Sequence, residues 1–178
     1  MRFRRIAFGS AVLGWLLALP ILPGHGSGER RVVPDTPFYF DNHYFDRYPA
    51  AVVVRVVNGN TLVVQIEGEQ KLRLVRLAGI QGLSPEEGPF YQQAIELMRE
   101  RILRRTVKLE GDKLLRNVDA TGPVEAYVWL EGQQMNAMLV RNGLARIIPY
   151  SHNIKYDSYF GGLEQRARQE RLGIWSRL

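Results

Sequence analysis

Residues 51–64, AVVVRVVNGNTLVV, decide how we expect this chain to fold. The first seven of these residues are rich in β-branched side chains, which favour a strand. Asn58 and Gly59 follow and form the strongest short signal for a hairpin turn, because both residue types tolerate positive φ. Residues 61–66 have the composition of the returning strand. The sequence therefore predicts an antiparallel hairpin here.

A third strand is predicted over residues 71–80, after a turn at Gly68. Apolar residues alternate along it, and this alternation places Leu72 and Leu74 on one face together with Arg76. An arginine that points inward breaks the local pattern, and such breaks often mark functional sites. The alternative is a bulge or a barrel end, from which the arginine side chain reaches solvent.

The remainder of the chain alternates between helical and extended patterns. Apolar residues spaced by three and four predict a helix over residues 91–105. Short strands are predicted at residues 106–110 and 124–130, and two further helices at residues 134–142 and 156–172. Five strands with three packed helices indicate an α+β fold built on a five-stranded OB-fold β-barrel.

Composition excludes several classes of protein. The chain has 178 residues, a net charge of +6 and no cysteine, which excludes a disulfide, a thiolate zinc site and a cysteine nucleophile. Arg2, Arg4 and Arg5 account for half of the net charge of +6. The rest is too small to indicate nucleic-acid binding without a clustered basic face. Glutamates intersperse the arginines of the predicted helices, which is typical of a solvated surface.

The amino-terminal segment has the pattern of a targeting sequence. Three arginines precede an uncharged apolar run over residues 6–22. Residues 1–26 are therefore predicted to be a cleaved signal peptide or, if uncleaved, a single amino-terminal membrane helix. Either alternative exports the rest of the chain, to the periplasm, to the extracellular space or to the outer side of a membrane. A buried core helix and an organelle-targeting peptide are the other interpretations.

Residues 27–50 are predicted to be a linker that is rich in aromatic residues. Glycine and proline punctuate the linker, yet six aromatic side chains fall within residues 38–48. These side chains either pack along the surface of the domain or form a docking strip for a protein partner or a membrane interface. The domain itself is predicted to span residues 51–178.

Three stretches of the chain resemble the thermonuclease, or staphylococcal-nuclease-like, family. AVVVRVVNGNTLVV is similar to the family's first hairpin, GQQMNAMLVRNGLARI to the helix after its fifth strand, and EQRARQERLGIWS to its closing helix. The resemblance covers most of the chain beyond the amino-terminal segments. It implies the family's OB-fold barrel with three helices, and a site for calcium-assisted hydrolysis of phosphodiester bonds in nucleic acid.

The residues at the metal positions depart from the family pattern. The two calcium-binding aspartates of the family fall on Asn60 and Gln81, which are neutral amides. The site thus loses two formal negative charges, and the charge of the ligands strongly controls affinity for calcium. We therefore expect Asn60 and Gln81 not to bind a metal and expect no cofactor. Calcium would be the cofactor only if the site were an active nuclease.

The catalytic positions depart from the pattern as well. Arg76 matches the first of the family's two arginines, whereas Pro123 stands where the second is expected. Loss of a transition-state arginine in phosphoryl transfer costs ~10³–10⁵ in rate. The family's glutamate falls on Ser84 or, with a two-residue insertion, on Glu86. Glu86 and Glu87 otherwise precede a helix, where acids complement the positive end of the dipole.

Tyr150, Lys155 and Tyr156 fall where the family's nucleotide-stacking loop is expected, and they predict weak contact with phosphate or bases. Taken together, these departures predict a catalytically degenerate domain that acts as a binding or scaffold module. One alternative is an active metal-dependent nuclease, in which Arg116 or Asp119 substitutes for a lost residue. The other is a structural subunit of a membrane complex.

Overall fold

The computed structural model describes residues 45–111, 122–148 and 155–177. The predicted leader and most of the predicted linker lie outside these ranges. Within them, no helix is long and apolar enough to cross a membrane. Three residues considered above for a functional site also lie outside the described ranges, namely Arg116, Asp119 and Tyr150.

Five strands close into a barrel. β1 (Ala50–Asn58), β2 (Thr61–Ile66) and β3 (Leu72–Leu77) form an antiparallel meander, and β1 also pairs with β5 (Thr106–Glu110). β5 pairs with β6 (Val124–Leu130), and β6 returns to β3 in a parallel pairing that completes the circuit. This topology confirms the predicted five-stranded OB-fold barrel.

Three helices accompany the barrel, as predicted. They are α1 (Pro89–Ile102), α2 (Met135–Arg141) and α3 (Asp157–Gln169). The spacing of apolar residues identified the correct face of α1, because Ala94 and Met98 are fully buried in the main core. The shorter elements are β4 (Ile80–Gly82), β7 (Gln133–Gln134), β8 (Ala145–Ile147) and the 3-10 turns Pro85–Glu87 and Gly173–Arg177.

The turn between β1 and β2 differs from the predicted one. Gly59 is not among the described glycines that have positive φ. A Cβ atom at this position would lie 2.8 Å from the Cβ of Ala94, closer than two carbon atoms pack in a protein interior. Glycine is therefore required because the turn packs directly on α1, and not because of its backbone conformation.

The predicted third strand is broken in the structure. β3 ends at Leu77, and Gly79 turns the chain at a φ of +73° before β4 begins. The turn changes which residues face the core, so that Val75 and Leu77 are the buried side chains of β3. The prediction that Arg76 points inward is therefore wrong. The exposed side chains of β3 are Leu72, Leu74 and Arg76.

Packing of the domain begins before residue 51. Phe45 is buried, and its ring centroid lies 4.9 Å from that of Trp129. The hydroxyl of Tyr48 donates a hydrogen bond of 2.9 Å to Oε1 of Glu110, a fully buried carboxylate at the end of β5. The last part of the predicted linker thus belongs to the domain. Four side chains contact this carboxylate, namely Tyr48, Trp129, Lys155 and Tyr156. We call these four residues and Glu110 the Glu110 cluster.

Candidate functional site

The hairpin turn holds Asn60 against β4. The Nδ2 of Asn60 donates to the carbonyl of Ile80 at 3.4 Å, and its Oδ1 accepts from the hydroxyl of Thr61 at 3.2 Å. A Cβ atom on Gly82 would lie 2.5 Å from this Oδ1, so the glycine makes room for the amide. The backbone N–H of Leu77 donates to the carbonyl of Asn60 at 2.8 Å. The amide of Asn60 therefore has its own partners within the protein.

Gln81 is the middle residue of β4, next to the carbonyl that Asn60 contacts, and it is exposed. The structure thus brings together the two positions that the family resemblance assigns to calcium. An amide can offer a carbonyl oxygen to a cation but adds no negative charge. In the part of the chain that the structure describes, no group of three or more carboxylate, imidazole or thiol side chains could hold a metal ion. These residues do not fit a calcium ion.

Arg76 lies close to these two amides. On the outer side of β3 it stands between Thr61 of β2 and Glu125 of β6, and Thr61 directly follows Asn60. Pro123 directly precedes β6, the strand beside Arg76. The position that the resemblance assigns to the second arginine is therefore close to the first, but proline has no donor to offer there.

The loop after β4 carries two acids with different surroundings. The N–H of Ser84 donates to Oε2 of Glu87 at 2.5 Å, and Arg146 forms an ion pair with Oε1 of Glu87. Burial raises the pKa of Glu87, but the hydrogen bonds from Ser84 and from Arg146, together with the charge of Arg146, outweigh burial and lower that pKa below its ordinary value. Glu86 is exposed, and its carboxylate has no hydrogen bond or ion pair with the residues that the structure describes.

Arg146 is a site residue that the sequence did not reveal. It lies on β8 directly opposite Gln81, and its guanidinium pairs with Glu87. The guanidinium carbon also lies 5.8 Å from the centroid of the Trp175 ring. Only the pairing of β4 with β8 brings Arg146 to the site, and no local pattern predicts that pairing. The sequence offered one signal, a charged residue between the apolar residues Ala145 and Ile147.

Lys155 and Tyr156, which the resemblance places in a nucleotide-contacting loop, belong to the Glu110 cluster. Lys155 forms an ion pair with Glu110. Tyr156 is buried, its hydroxyl donates to Oε2 of Glu110 at 3.0 Å, and its ring packs edge-on against Tyr127 at 4.5 Å. Because a base needs an accessible ring face for stacking, this burial does not favour the predicted role of Tyr156. Contacts of Lys155 and Tyr150 with nucleic acid stay predictions.

Comparison with known proteins identifies the family of this chain. The family model described as staphylococcal nuclease homologue matches residues 71–177. The thermonuclease of Staphylococcus hyicus is 31% identical over 127 residues, which cover 70% of this chain and 74% of that protein. The thermonuclease of Staphylococcus intermedius is 29% identical over 71% of this chain and 76% of that protein. The SPbeta prophage-derived endonuclease YokF of Bacillus subtilis (strain 168) is 32% identical over 69% of this chain and 43% of that protein. The chain therefore belongs to the staphylococcal nuclease homologue family and carries a thermonuclease-like OB-fold domain.

Proposed function

We propose that this domain is a catalytically degenerate member of its family, which binds the phosphate groups of nucleic acid without hydrolysing them. The observation that carries this proposal is the hydrogen bond from Nδ2 of Asn60 to the carbonyl of Ile80. A carboxylate has no proton to donate, so an aspartate at this position would face the carbonyl with two negative oxygens unless a cation lay between them. The amide joins the turn to β4 directly and needs no cation.

The remaining charged side chains balance each other, and one of them, Arg76, is available to an anion. With amides at both metal positions, the charged side chains that strand pairing and one ion pair bring close to them are Arg76, Glu125, Glu87 and Arg146. Arginine holds phosphate through two parallel N–H donors, and it stays charged at every physiological pH. Arg76 is exposed and makes no hydrogen bond or ion pair with the described residues, so its donors are available to a ligand. The names of the relatives, thermonuclease and endonuclease, support a phosphodiester as that ligand.

Hydrolysis would lack two catalytic groups, a second arginine and a glutamate held in a fixed position. Pro123 supplies no second guanidinium to neutralise charge on the transferred phosphorus. Glu86, the residue that the insertion aligns with the family's glutamate, is exposed and has no described partner that fixes its carboxylate. A base misplaced by 1 Å can lose about 10²-fold in rate. Binding without cleavage is the function that these residues support.

We also propose that the protein is exported, or anchored at a membrane by residues 6–22. Support for this comes from the arginines and the apolar run in the sequence. Fractionation of cells that express the tagged protein, combined with amino-terminal sequencing, tests the proposal. We expect either a product cut near residue 26 outside the cytoplasm or an intact chain in the membrane fraction. An intact chain in the cytosolic fraction would contradict both forms.

The binding proposal is tested with fluorescein-labelled single-stranded DNA and RNA, the purified full-length protein, and either calcium chloride or EDTA. We expect the anisotropy of the probe to rise equally with and without calcium, and the affinity to fall steeply with salt. Arg76→Ala and Arg146→Gln should each weaken binding about tenfold, because each removes a phosphate contact. Arg99→Ala, an exposed arginine on α1, is the matched control and should leave binding unchanged.

The same reactions, analysed on denaturing gels, distinguish the alternatives. Intact probe in both conditions is the expected result. Cleavage that requires calcium and disappears in Arg76→Ala would overturn degeneracy and establish an active nuclease with an altered site. A protein that neither binds nor cleaves the probes would refute the binding role, and co-purification with a fixed membrane partner would then identify a structural subunit.

A further inference from the structure

The outer face of the β1–β2–β3 meander is unusually apolar. In the described ranges, five of the six large hydrophobic side chains that are exposed lie on β1 or β3. Single exposed aliphatic residues are normal on a protein surface, whereas a group of them marks an interaction site. The five residues are Val52, Val54, Val57, Leu72 and Leu74.

Strand pairing joins these side chains into one surface, which we call the outer face. Gln65 of β2 lies opposite Val52 of β1 on one side and opposite Leu72 of β3 on the other. Because alternate residues of a strand point to the same side, the next outward row begins two residues along β2. That row consists of Arg55, Val63 and Leu74.

Arg55 and Glu67 on this surface carry charges that have no partner among the described residues. An open groove of about 330 Å³ lies at one end of the outer face, and among the described residues that line it only Glu67 is charged. A bulge in β1 leaves both Val54 and Arg55 exposed on the other side of the Gln65 row. Neither the Glu67 carboxylate nor the Arg55 guanidinium makes a hydrogen bond or ion pair with a described residue. The other residues that line the groove are Ala50, Ala51, Val52, Gln65 and Thr106.

The two rows of the outer face that contain Gln65 and Val63 do not fit the chemistry of nucleic acid. OB-folds bind single strands on this side of the barrel by stacking bases on aromatic rings and by holding phosphates with cations. β1, β2 and β3 contain no aromatic residue. An aliphatic surface gains free energy by contact with another apolar surface. The occupant is therefore a protein.

We propose that a second copy of this chain docks on the outer face and forms a symmetric dimer. The two-fold axis of this dimer would lie in the plane of the interface. It would run at right angles to the strands and pass over the row that contains Gln65. Glu67 lies two residues from Gln65 in one direction, and Val63, opposite Arg55, lies two residues away in the other. The axis therefore places Arg55 of each copy beside Glu67 of the other copy. Such self-complementarity is what a two-fold interface requires.

The apolar rows meet between these two ion pairs, with the groove of each copy open to Val54 of the other. The outer face consists of three short strands, so the interface is small. Small interfaces of this kind are weak, and we expect a dissociation constant of roughly micromolar order. Asn60, Gln81 and Arg146 of the phosphate site proposed above are not among these contacts, whereas Arg76 lies on the same outer side of β3, one row beyond Leu74.

Charge exchange tests the proposed contact. In sedimentation equilibrium of the full-length protein, Arg55→Glu and Glu67→Arg should each weaken the dimer about tenfold or more, because each places like charges together. The double variant, which exchanges the two charges, should recover wild-type affinity to within about threefold. Residues 6–22 are present in every variant, so self-association through that run cannot produce such a recovery.

Two further variants identify the face. Leu72→Lys should weaken the dimer by about tenfold or more, because it would bury an unpaired charge. Ile148→Lys is the matched control, because Ile148 is also exposed but lies beyond β8, and it should have no effect. Circular dichroism checks that each variant is folded. Because the chain has no cysteine, Gln65→Cys, on the proposed axis, should be cross-linked between copies by a short bismaleimide reagent that spans the roughly 10 Å between packed sheets, whereas Ile148→Cys should not.

Two results would overturn the dimer. One is a wild-type protein that stays monomeric up to about 100 µM, far above the expected dissociation constant. The other is a dimer whose affinity is the same in Leu72→Lys and in both single charge variants. In either case the outer face does not bind a second copy.

Discussion

At the scale of single residues, the chemistry of Asn60 determines what this end of the barrel can hold. The family resemblance implies an aspartate that faces calcium at this position. The amide keeps the shape of that side chain but exchanges one oxygen for an NH₂ group, which donates to Ile80. Gln81 of β4 likewise has an amide in place of an acid, on a side chain one methylene longer. Two such exchanges remove the negative charge that attracts a dication while they leave Arg76 in place.

Restoring both carboxylates should restore a response to calcium. We expect the double variant Asn60→Asp/Gln81→Asp to melt at a higher temperature when calcium is added. At a calcium concentration a hundred times the dissociation constant, bound calcium would raise the free energy of unfolding by up to about 2.7 kcal/mol. In EDTA the same variant should be less stable than the wild type by about 1–3 kcal/mol, since the carbonyl of Ile80 loses its donor. Thermal unfolding followed by circular dichroism measures both effects.

The control for this experiment is Gln92→Glu/Gln165→Glu, which adds the same charge at exposed positions of α1 and α3. We expect no calcium response from the control or from the wild type. If the Asn60→Asp/Gln81→Asp protein behaves like the control, the two amides are not what excludes calcium from the site.

The ion pair between Glu87 and Arg146 should make a small part of the stability depend on pH. The pKa of Glu87 in the folded protein is lowered from its ordinary value of 4.5. A lowered pKa contributes stability that is complete above the unfolded value and is lost as the pH falls through the folded value. Because the pair is partly exposed, its contribution is no more than about 1 kcal/mol.

Arg146→Gln should raise the pKa of Glu87, because burial then opposes ionisation with less compensation. NMR titration of the Glu87 carboxyl measures this shift directly. In urea unfolding, the stability difference between the wild type and the variant should shrink as the pH falls below about 4.5. An unchanged titration curve for Glu87 would show that the ion pair does not form in solution.

At the scale of elements, local patterns predicted what local contacts determine. Apolar spacing identified α1 and its buried face, and alternation identified the hairpin. The pattern failed at Gly79, because Ala78 and Ile80 are apolar and continue the alternation although the chain turns between them. Arg76 was assigned to the wrong face for this reason.

The site shows the same division between local and distant contacts. The resemblance named Asn60, Gln81 and Arg76, and strand pairing does bring them together. Arg146 was not predictable, because its partner Glu87 is 59 residues away along the chain. The Glu110 cluster was missed for the same reason, since Tyr48 is 62 residues from Glu110.

The contact between the hairpin turn and α1 should make Gly59 intolerant of any side chain. A methyl group at Gly59 would overlap Ala94, and we expect Gly59→Ala to lower the free energy of unfolding by about 1–3 kcal/mol. Gly162→Ala is the matched control, because a Cβ there meets nothing within 4 Å and the residue lies inside α3. Helix propensity predicts that this control stabilises the protein by up to about 1 kcal/mol. Urea unfolding of both variants measures the difference, and equal effects would refute the packing argument.

At the scale of the whole molecule, the Glu110 cluster joins three parts of the chain. Tyr48 comes from the segment before β1, Trp129 from β6 of the barrel, and Lys155 and Tyr156 from the turn that leads into α3. All of them contact one fully buried carboxylate. A buried charge is costly unless several donors and an opposite charge compensate it. Loss of one contact in the cluster should therefore destabilise the packing of all three parts.

Glu110→Gln should destabilise the protein strongly, because it leaves Lys155 without its countercharge and turns an amide NH₂ towards other donors. Breaking a buried ion pair typically costs about 3–5 kcal/mol, and because Lys155 is exposed we expect a loss near the lower end of this range. Tyr48→Phe removes one hydrogen bond of the same cluster and should cost about 1 kcal/mol. Urea unfolding followed by tryptophan fluorescence compares the two variants. Equal and small losses would mean that the carboxylate is not structurally important.

The burial of Phe45 and the bond from Tyr48 to Glu110 also restrict how the protein could mature by proteolysis. A processing enzyme that cuts ahead of Phe45 would leave these two contacts intact. A cut only a few residues later would remove the Phe45 ring that packs on Trp129 and the Tyr48 hydroxyl that donates to Glu110. Limited digestion should therefore leave a resistant fragment that starts before Phe45, and a shortened chain that starts at Ala51 should melt at a lower temperature.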